Sequence, residues 1–253
     1  MYFARILLAS LLILAAARAN ETVALLRPGE TLTYRVGWGL LGHAGEIQIG
    51  AKTETEDHKE RLRITTTSST RGFVRALYPF DGDASILFDP ENGLLLSGSA
   101  STKSSKKSTH ASITFDYETD QATYVDHVRA KRSTTLAVPP DSAPVDLITS
   151  LIQDRAWALT PGQSRETLVL FDDELYPLQI TAEREETIST PSGPRKTVVL
   201  VPRMTGVPKG MFRRGGEVRV WVSADKDRLP LRFEVKLKVG TAYAVLTDYQ
   251  PPS

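Results

Sequence analysis

Hydrophobic and polar positions alternate along most of this chain. Between Thr31 and Trp38, the residues Leu32, Tyr34, Val36 and Trp38 alternate with Thr33, Arg35 and Gly37, which is the period of a half-buried strand. The same period returns at 47–51, 61–67 and 84–88. Residues 94–102 and 108–117 read as a long hairpin with a basic tip at Lys103, Lys106 and Lys107. Strands at 122–128 and 133–138 complete a first half. In the second half, 166–171 and 175–184 flank Asp172-Asp173, and 185–190 and 195–201 flank Pro191-Ser192-Gly193. Val218, Val220 and Val222 then alternate with Arg219, Trp221 and Ser223, followed by strands at 231–239 and 242–246. Residues 39–45 are expected as a turn. Residues 71–79 are expected as a helical turn, or as a loop packing Phe73, Leu77 and Tyr78 across a sheet edge.

Residues 142–159 break this rhythm and predict the one long helix. Ser142 is placed as its N-cap, Pro144 in the first turn, and Asp146 near the positive end of the helix dipole. Leu147, Ile148, Leu151, Ile152 and Leu159 form an apolar stripe, and Pro161-Gly162 ends the element. Thr149, Ser150, Gln153 and Asp154 are expected on a wet opposite face. The expected fold is all-β: a single large curved antiparallel sheet, closed or nearly closed into a barrel, with one packed α-helix. So many strands cannot stay flat and open. No internal repeat, low-complexity tract or composition shift divides residues 20–253, which are expected as a single β-rich domain.

The N-terminus changes the picture by giving the chain an address. Arg5 precedes an apolar run from Ile6 to Ala17, and Ala17-Arg18-Ala19 has the small-x-small pattern of a signal cleavage site. Residues 1–19 are expected as a signal peptide cut between Ala19 and Asn20, sending the protein to the periplasm or beyond the cell. The run is too short for a comfortable membrane helix, and no other run approaches that length. The formal charge of +1 loses Arg5 and Arg18 on cleavage, leaving the chain near neutral, so no basic field recruits nucleic acid. The absence of cysteine excludes disulfides, thiolate metal sites and thiol catalysis.

Candidate chemistry is sparse. His43, His58, His110 and His127 are scattered with no metal-ligand spacing, and no GxSxG, phosphate-loop or dinucleotide motif occurs. The pairs Asp172-Asp173 and Asp225/Asp227 sit at predicted turns, where aspartate bonds its own backbone. No catalytic residue, cofactor or metal is expected. Arg155 is expected to clamp the helix to the sheet or to anchor an anionic head group at the barrel mouth. In a second basic loop, Lys209, Arg213 and Arg214 flank Met211-Phe212, and Phe212 with Arg213 could touch an anionic membrane or glycan.

Several short stretches together carry a resemblance. They are Gly29-Glu30, Tyr34, Val36 and Trp38, then Ala44-Gly45-Glu46. The helix adds Asp146 to Leu151 and Arg155, and the C-terminal half adds Val220-Trp221-Val222-Ser223-Ala224-Asp225, Arg228-Leu229-Pro230 and Gly240. In this order they resemble the bacterial family catalogued as domain of unknown function 3108, over almost all of the mature length. Leu147 stands where that family often carries proline. The resemblance implies an exported, mostly β envelope protein of Gram-negative-type bacteria, and no activity.

The expected function is therefore a non-enzymatic periplasmic binding or envelope-assembly module, acting as a monomer. Its partner would be an envelope component or a lipid-like or glycan ligand. Two alternatives from other classes are an enzyme acting on envelope polysaccharide and an outer-membrane β-barrel.

Overall fold

The computed structural model describes residues 26–157, 160–171, 173–208, 212, 216–237 and 240–252. The expected signal segment with Ala19 and Asn20, and also Leu159, Asp172, Lys209, Met211, Arg213 and Arg214, lie outside these residues. The first half comprises β1 (Thr31–Trp38), β2 (Leu41–Glu56), β3 (Lys59–Thr70), β4 (Phe80–Phe88), β5 (Leu95–Ser104), β6 (Ser108–Asp116), β7 (Gln121–Asp126) and β8 (Thr134–Ala137). A short helix, α1 (Gly72–Leu77), joins β3 to β4. Next come β9 (Val145–Asp146) and helix α2 (Leu147–Trp157). The chain ends with β10 (Ser164–Phe171), β11 (Glu174–Thr190), β12 (Gly193–Met204), β13 (Glu217–Ser223), β14 (Pro230–Leu237) and β15 (Gly240–Gln250).

All fifteen strands belong to one sheet in the order β8-β7-β6-β5-β4-β3-β2-β1-β15-β14-β13-β12-β11-β10-β9. Two antiparallel meanders are thus stitched together where the first and last strands pair, Leu32 opposite Tyr249. Register comes from short turns. Asp57 and His58 both take positive φ between β2 and β3, the backbone that a tight hairpin requires. The predicted turn at 39–45 is shorter than expected, because β2 already begins at Leu41. The predicted break after Arg184 is a bulge between Ala182 and Arg184 inside one long strand, β11, since no turn residue is present there to end it.

The sheet is not closed, so of the expected closed or nearly closed barrel it is full closure that is corrected. Its two edges are β8 and β9. β9 makes only two residue pairs, parallel to β10, and the chain leading into it carries Pro139, Pro140 and Pro144, which cannot donate to a ladder. Side chains bridge the gap instead. Arg132, in a 3-10 turn (Ala130–Arg132) just before β8, donates Nη2 to both carboxylate oxygens of Asp173 at 3.2 and 3.1 Å, just past the end of β10.

The helix is shorter than expected and differently capped. Residues 142–144 are not helical, and Asp146, not Ser142, is the cap: its Oδ1 accepts from the N–H groups of Ile148 (2.9 Å) and Thr149 (3.1 Å). The expected wet face is also overturned. Thr149 and Ser150 are buried, and Gln153 is only 5% exposed. The reason is position: α2 packs inside the curled sheet against β10, β13 and β14, so wall surrounds it on more than one side. Leu151 and Ile152 join the main core, together with Leu32, Ile49, Ile64, Ile180 and Val220 from the inner faces of both meanders. Against expectation, part of the outer face is dry too, where Trp221 packs on Val199, Val201 and Ile188.

Candidate ligand cavity

Strand registers explain where the interior is not filled. Across β3 to β7, one inward row reads Ile64, Ile86, Gly98, Ile113 and Tyr124. The next reads Thr66, Ala84, Ala100, Ala111 and Asp126, and the one beyond it Ser68, Gly82, Thr102 and Thr109. Side chains therefore shrink along the wall towards one end. α2 does not make up the difference, because it packs against the second meander. The result is a partly open cavity of about 410 Å³ between the two halves, within the usual range for small-molecule sites.

The lining is apolar at depth, with Ile86, Ile113, Tyr124 and Leu170, and cationic around it, with Lys107, Arg129 and Arg132. Two carboxylates also reach it, and their surroundings differ. Asp126 accepts from the N–H groups of Val128 (3.0 Å) and Arg129 (2.7 Å) through Oδ1, and from Arg129 Nε (2.9 Å) through Oδ2. Burial pushes its pKa up, but these bonds outweigh burial and hold it below the usual carboxylate range. Asp146 has no cation beside it. Burial raises its pKa, only partly offset by Thr149 and by the N–H of Ile148, and its Oδ2 has no hydrogen-bond partner among the described residues. Asp146 Oδ2 is thus an unsatisfied polar atom among the residues that line the cavity.

The predicted contact residues lie elsewhere. Arg155, one helix length from Asp146, points to the opposite end of α2. Its Nη2 donates to Glu30 Oε1 at 2.9 Å and its Nε to the carbonyl of Asp227 at 3.2 Å. Glu30 is fully buried and also accepts from the Arg27 N–H and the Tyr249 hydroxyl, each at 2.8 Å. Arg155 is therefore a clamp between helix and sheet rather than a ligand contact at a mouth. Phe212 is 7% exposed and belongs to the main core, so it is not a membrane-inserting tip; Arg213 lies outside the described residues.

Sequence reasoning missed Arg129, Arg132 and the small-residue rows. The small residues were visible in the sequence as the run Ser97 to Thr102, but which of them face inward was decided only by the strand register.

Some of the residues that carried the resemblance meet at this clamp, whereas Trp38, Glu46 and Gly240 lie towards the other end of the sheet. Tyr34 donates its hydroxyl to the Pro230 carbonyl at 2.9 Å, and Ser223 and Asp225 organise the turn that presents Asp227.

A solved β-barrel-like protein of domain family DUF1849 from Brucella abortus matches this fold with a TM-score of 0.55 at 6% identity, covering 90% of this chain and 99% of that one. A weaker match, with a TM-score of 0.36 at 10% identity, is a protein described as exported and having a YmcC-like fold, from Bacteroides fragilis; it covers 89% of this chain and 97% of that one. No curated protein matches the sequence. The sequence profile of the family described as protein of unknown function (DUF3108) matches residues 33–247, and the chain belongs to that family.

Proposed function

We propose that this protein is an exported, non-catalytic carrier whose cavity holds the apolar part of an amphipathic, lipid-like ligand. The observation that carries this reading is the chamber itself, formed by the Ala84–Ala100–Ala111 row and left unfilled by α2. Lys107 and Arg129 lie where they would meet an anionic head group. The signal-like N-terminus supports an envelope location.

An enzymatic reading draws on the two cavity carboxylates, whose pKa values are pushed in opposite directions, as in acid–base pairs. Against it, both oxygens of Asp126 are already engaged by Arg129 and backbone N–H groups. An outer-membrane barrel is disfavoured by charge on the outward strand faces, such as Arg35, Lys52 and Glu183, and by the helix packed inside.

The test is extraction and mass spectrometry of the purified protein, followed by titration of the delipidated protein with a fluorescent fatty acid. Ala100→Trp fills the chamber and is expected to lower affinity at least about tenfold while leaving the far-UV spectrum unchanged. The carrier reading falls if the native protein yields no lipid and the probe does not bind, or if it binds the variant equally well.

A further inference from the structure

The exposed hydrophobic side chains are not scattered. The strand registers place the β1–β2 turn, α1, the β5–β6 tip, the segment after β7 and the residues just after β12, Val207 among them, at one end of the curled sheet. Every large hydrophobic residue exposed among the described residues lies at this end. Leu40 is fully exposed at the β1–β2 turn, flanked by Trp38 and Leu41. α1 buries none of its residues, and presents Phe73 at 71% and Leu77 at 69% exposure. Isolated apolar side chains on a surface need no explanation, but a set confined to one rim does.

Charge follows the same axis. The β5–β6 tip at this end carries Lys103, Lys106 and Lys107, and Lys131 is exposed near it. Lys106 and Lys107 form no salt bridge with any described residue, whereas Arg71 and Arg75 beside α1 are paired with Glu46 and Asp81. The turns at the opposite end carry more acid than base, with Asp57, Glu91, Asp116, Glu118, Asp120 and Asp141 all exposed against Arg27, Lys59 and Lys226. One end is thus greasy and cationic, and the other would be repelled by an anionic surface.

We propose that this end docks on a lipid bilayer bearing anionic head groups, with Leu40, Phe73 and Leu77 inserting and the β5–β6 lysines lying over the phosphates. Apolar tips with neighbouring lysines match the interface between head groups and acyl chains, where aromatic residues such as Trp38 and Tyr78 are also favoured. A second copy of this chain fits less well, because two identical cationic rims would meet. The docking end is also the end towards which the cavity widens, and Lys107 belongs to both. Docking would therefore place the chamber next to a lipid source, but it does not require the chamber to bind anything.

The experiment is flotation of the full chain with vesicles of phosphatidylcholine alone, or with phosphatidylglycerol added. Binding is expected only to the phosphatidylglycerol vesicles, weakening as salt is raised. Leu40→Asp with Phe73→Asp should lower the partition at least about tenfold, as should Lys103→Glu with Lys106→Glu and Lys107→Glu. All five side chains are exposed, so folding is not at stake. Ala100→Trp should still float, which separates failure of docking from failure of the carrier reading. No binding to either vesicle, equal binding by the variants, or a dimer in light scattering that Leu40→Asp dissolves would each overturn the proposal.

Discussion

At the scale of single residues, the structure turns on Glu30 and Arg155. A buried carboxylate is costly, and Glu30 is tolerated because a guanidinium, a backbone N–H and a tyrosine hydroxyl converge on it. Removing one member strands the other, at a cost of about 3–5 kcal/mol. Arg155→Met is therefore expected to lower the thermal midpoint by ~10 °C. Glu30→Gln combined with Arg155→Met should be less damaging than the sum of the single changes, as a double-mutant cycle would measure. The pair also sets an acid limit. Burial works to raise the Glu30 pKa, but Arg155 and the other donors outweigh it and hold it below its ordinary value of 4.5. Its contribution is thus fully present above that value and is lost as pH falls through the lower, folded-state value. Urea melts below pH 4.5 should show a steeper loss in the native protein than in the double variant; equal slopes would refute the assignment.

At the scale of elements, α2 departs most from its sequence pattern. Its cap is an aspartate with one oxygen used and one unused. The sign of its effect on stability is the reverse of that at Glu30. Burial raises the Asp146 pKa, so the charged form weighs against folding, and that penalty grows as pH rises through the folded-state value. Asp146→Asn keeps an acceptor for the N–H groups of Ile148 and Thr149 and removes the charge. It is expected to be neutral or stabilising at pH 7, whereas Asp146→Ala loses the cap and about 1 kcal/mol. Denaturant melts of the two variants decide the matter: equal damage from both would mean that the charge, not the cap, holds the helix. Trp221 teaches a related lesson about strands. Alternation placed it on a wet face, yet β11 to β13 cover both of their faces locally, with the Glu186 carboxylate accepting from its indole N–H and Arg232 lying 5.2 Å from the ring centroid.

At the scale of the whole molecule, the seam between β8 and β9 is the weak line. Backbone pairing ends on both sides of it, and a partly exposed ion pair spans it. Such pairs contribute about 0–1 kcal/mol to global stability, so Arg132→Ala should barely move a melting curve. Local opening is another matter, because edge strands fluctuate independently of the core. Amide exchange in β8 and β10 is expected to accelerate in Arg132→Ala while β1 and β15 remain protected. Uniform exchange rates would show that the seam is held by something other than this contact.

Most strands were legible because the alternation of side chains is a local property, set by the two-residue repeat of the backbone. The chain by itself determined Leu32, Tyr34 and Val36 on one side of β1, Val218, Val220 and Val222 on one side of β13, and the longer helix between two meanders. Local pattern cannot report what stands opposite a residue after the chain has curled. Only the tertiary structure decided that Thr149, Ser150 and Gln153 are enclosed, that Phe212 is core, and that Arg155 faces Glu30 from 125 positions away. The cavity belongs to the same class. Ala84, Ala100 and Ala111 are unremarkable in three separate strands, and become a chamber wall only when register aligns them and the helix leans to the other side.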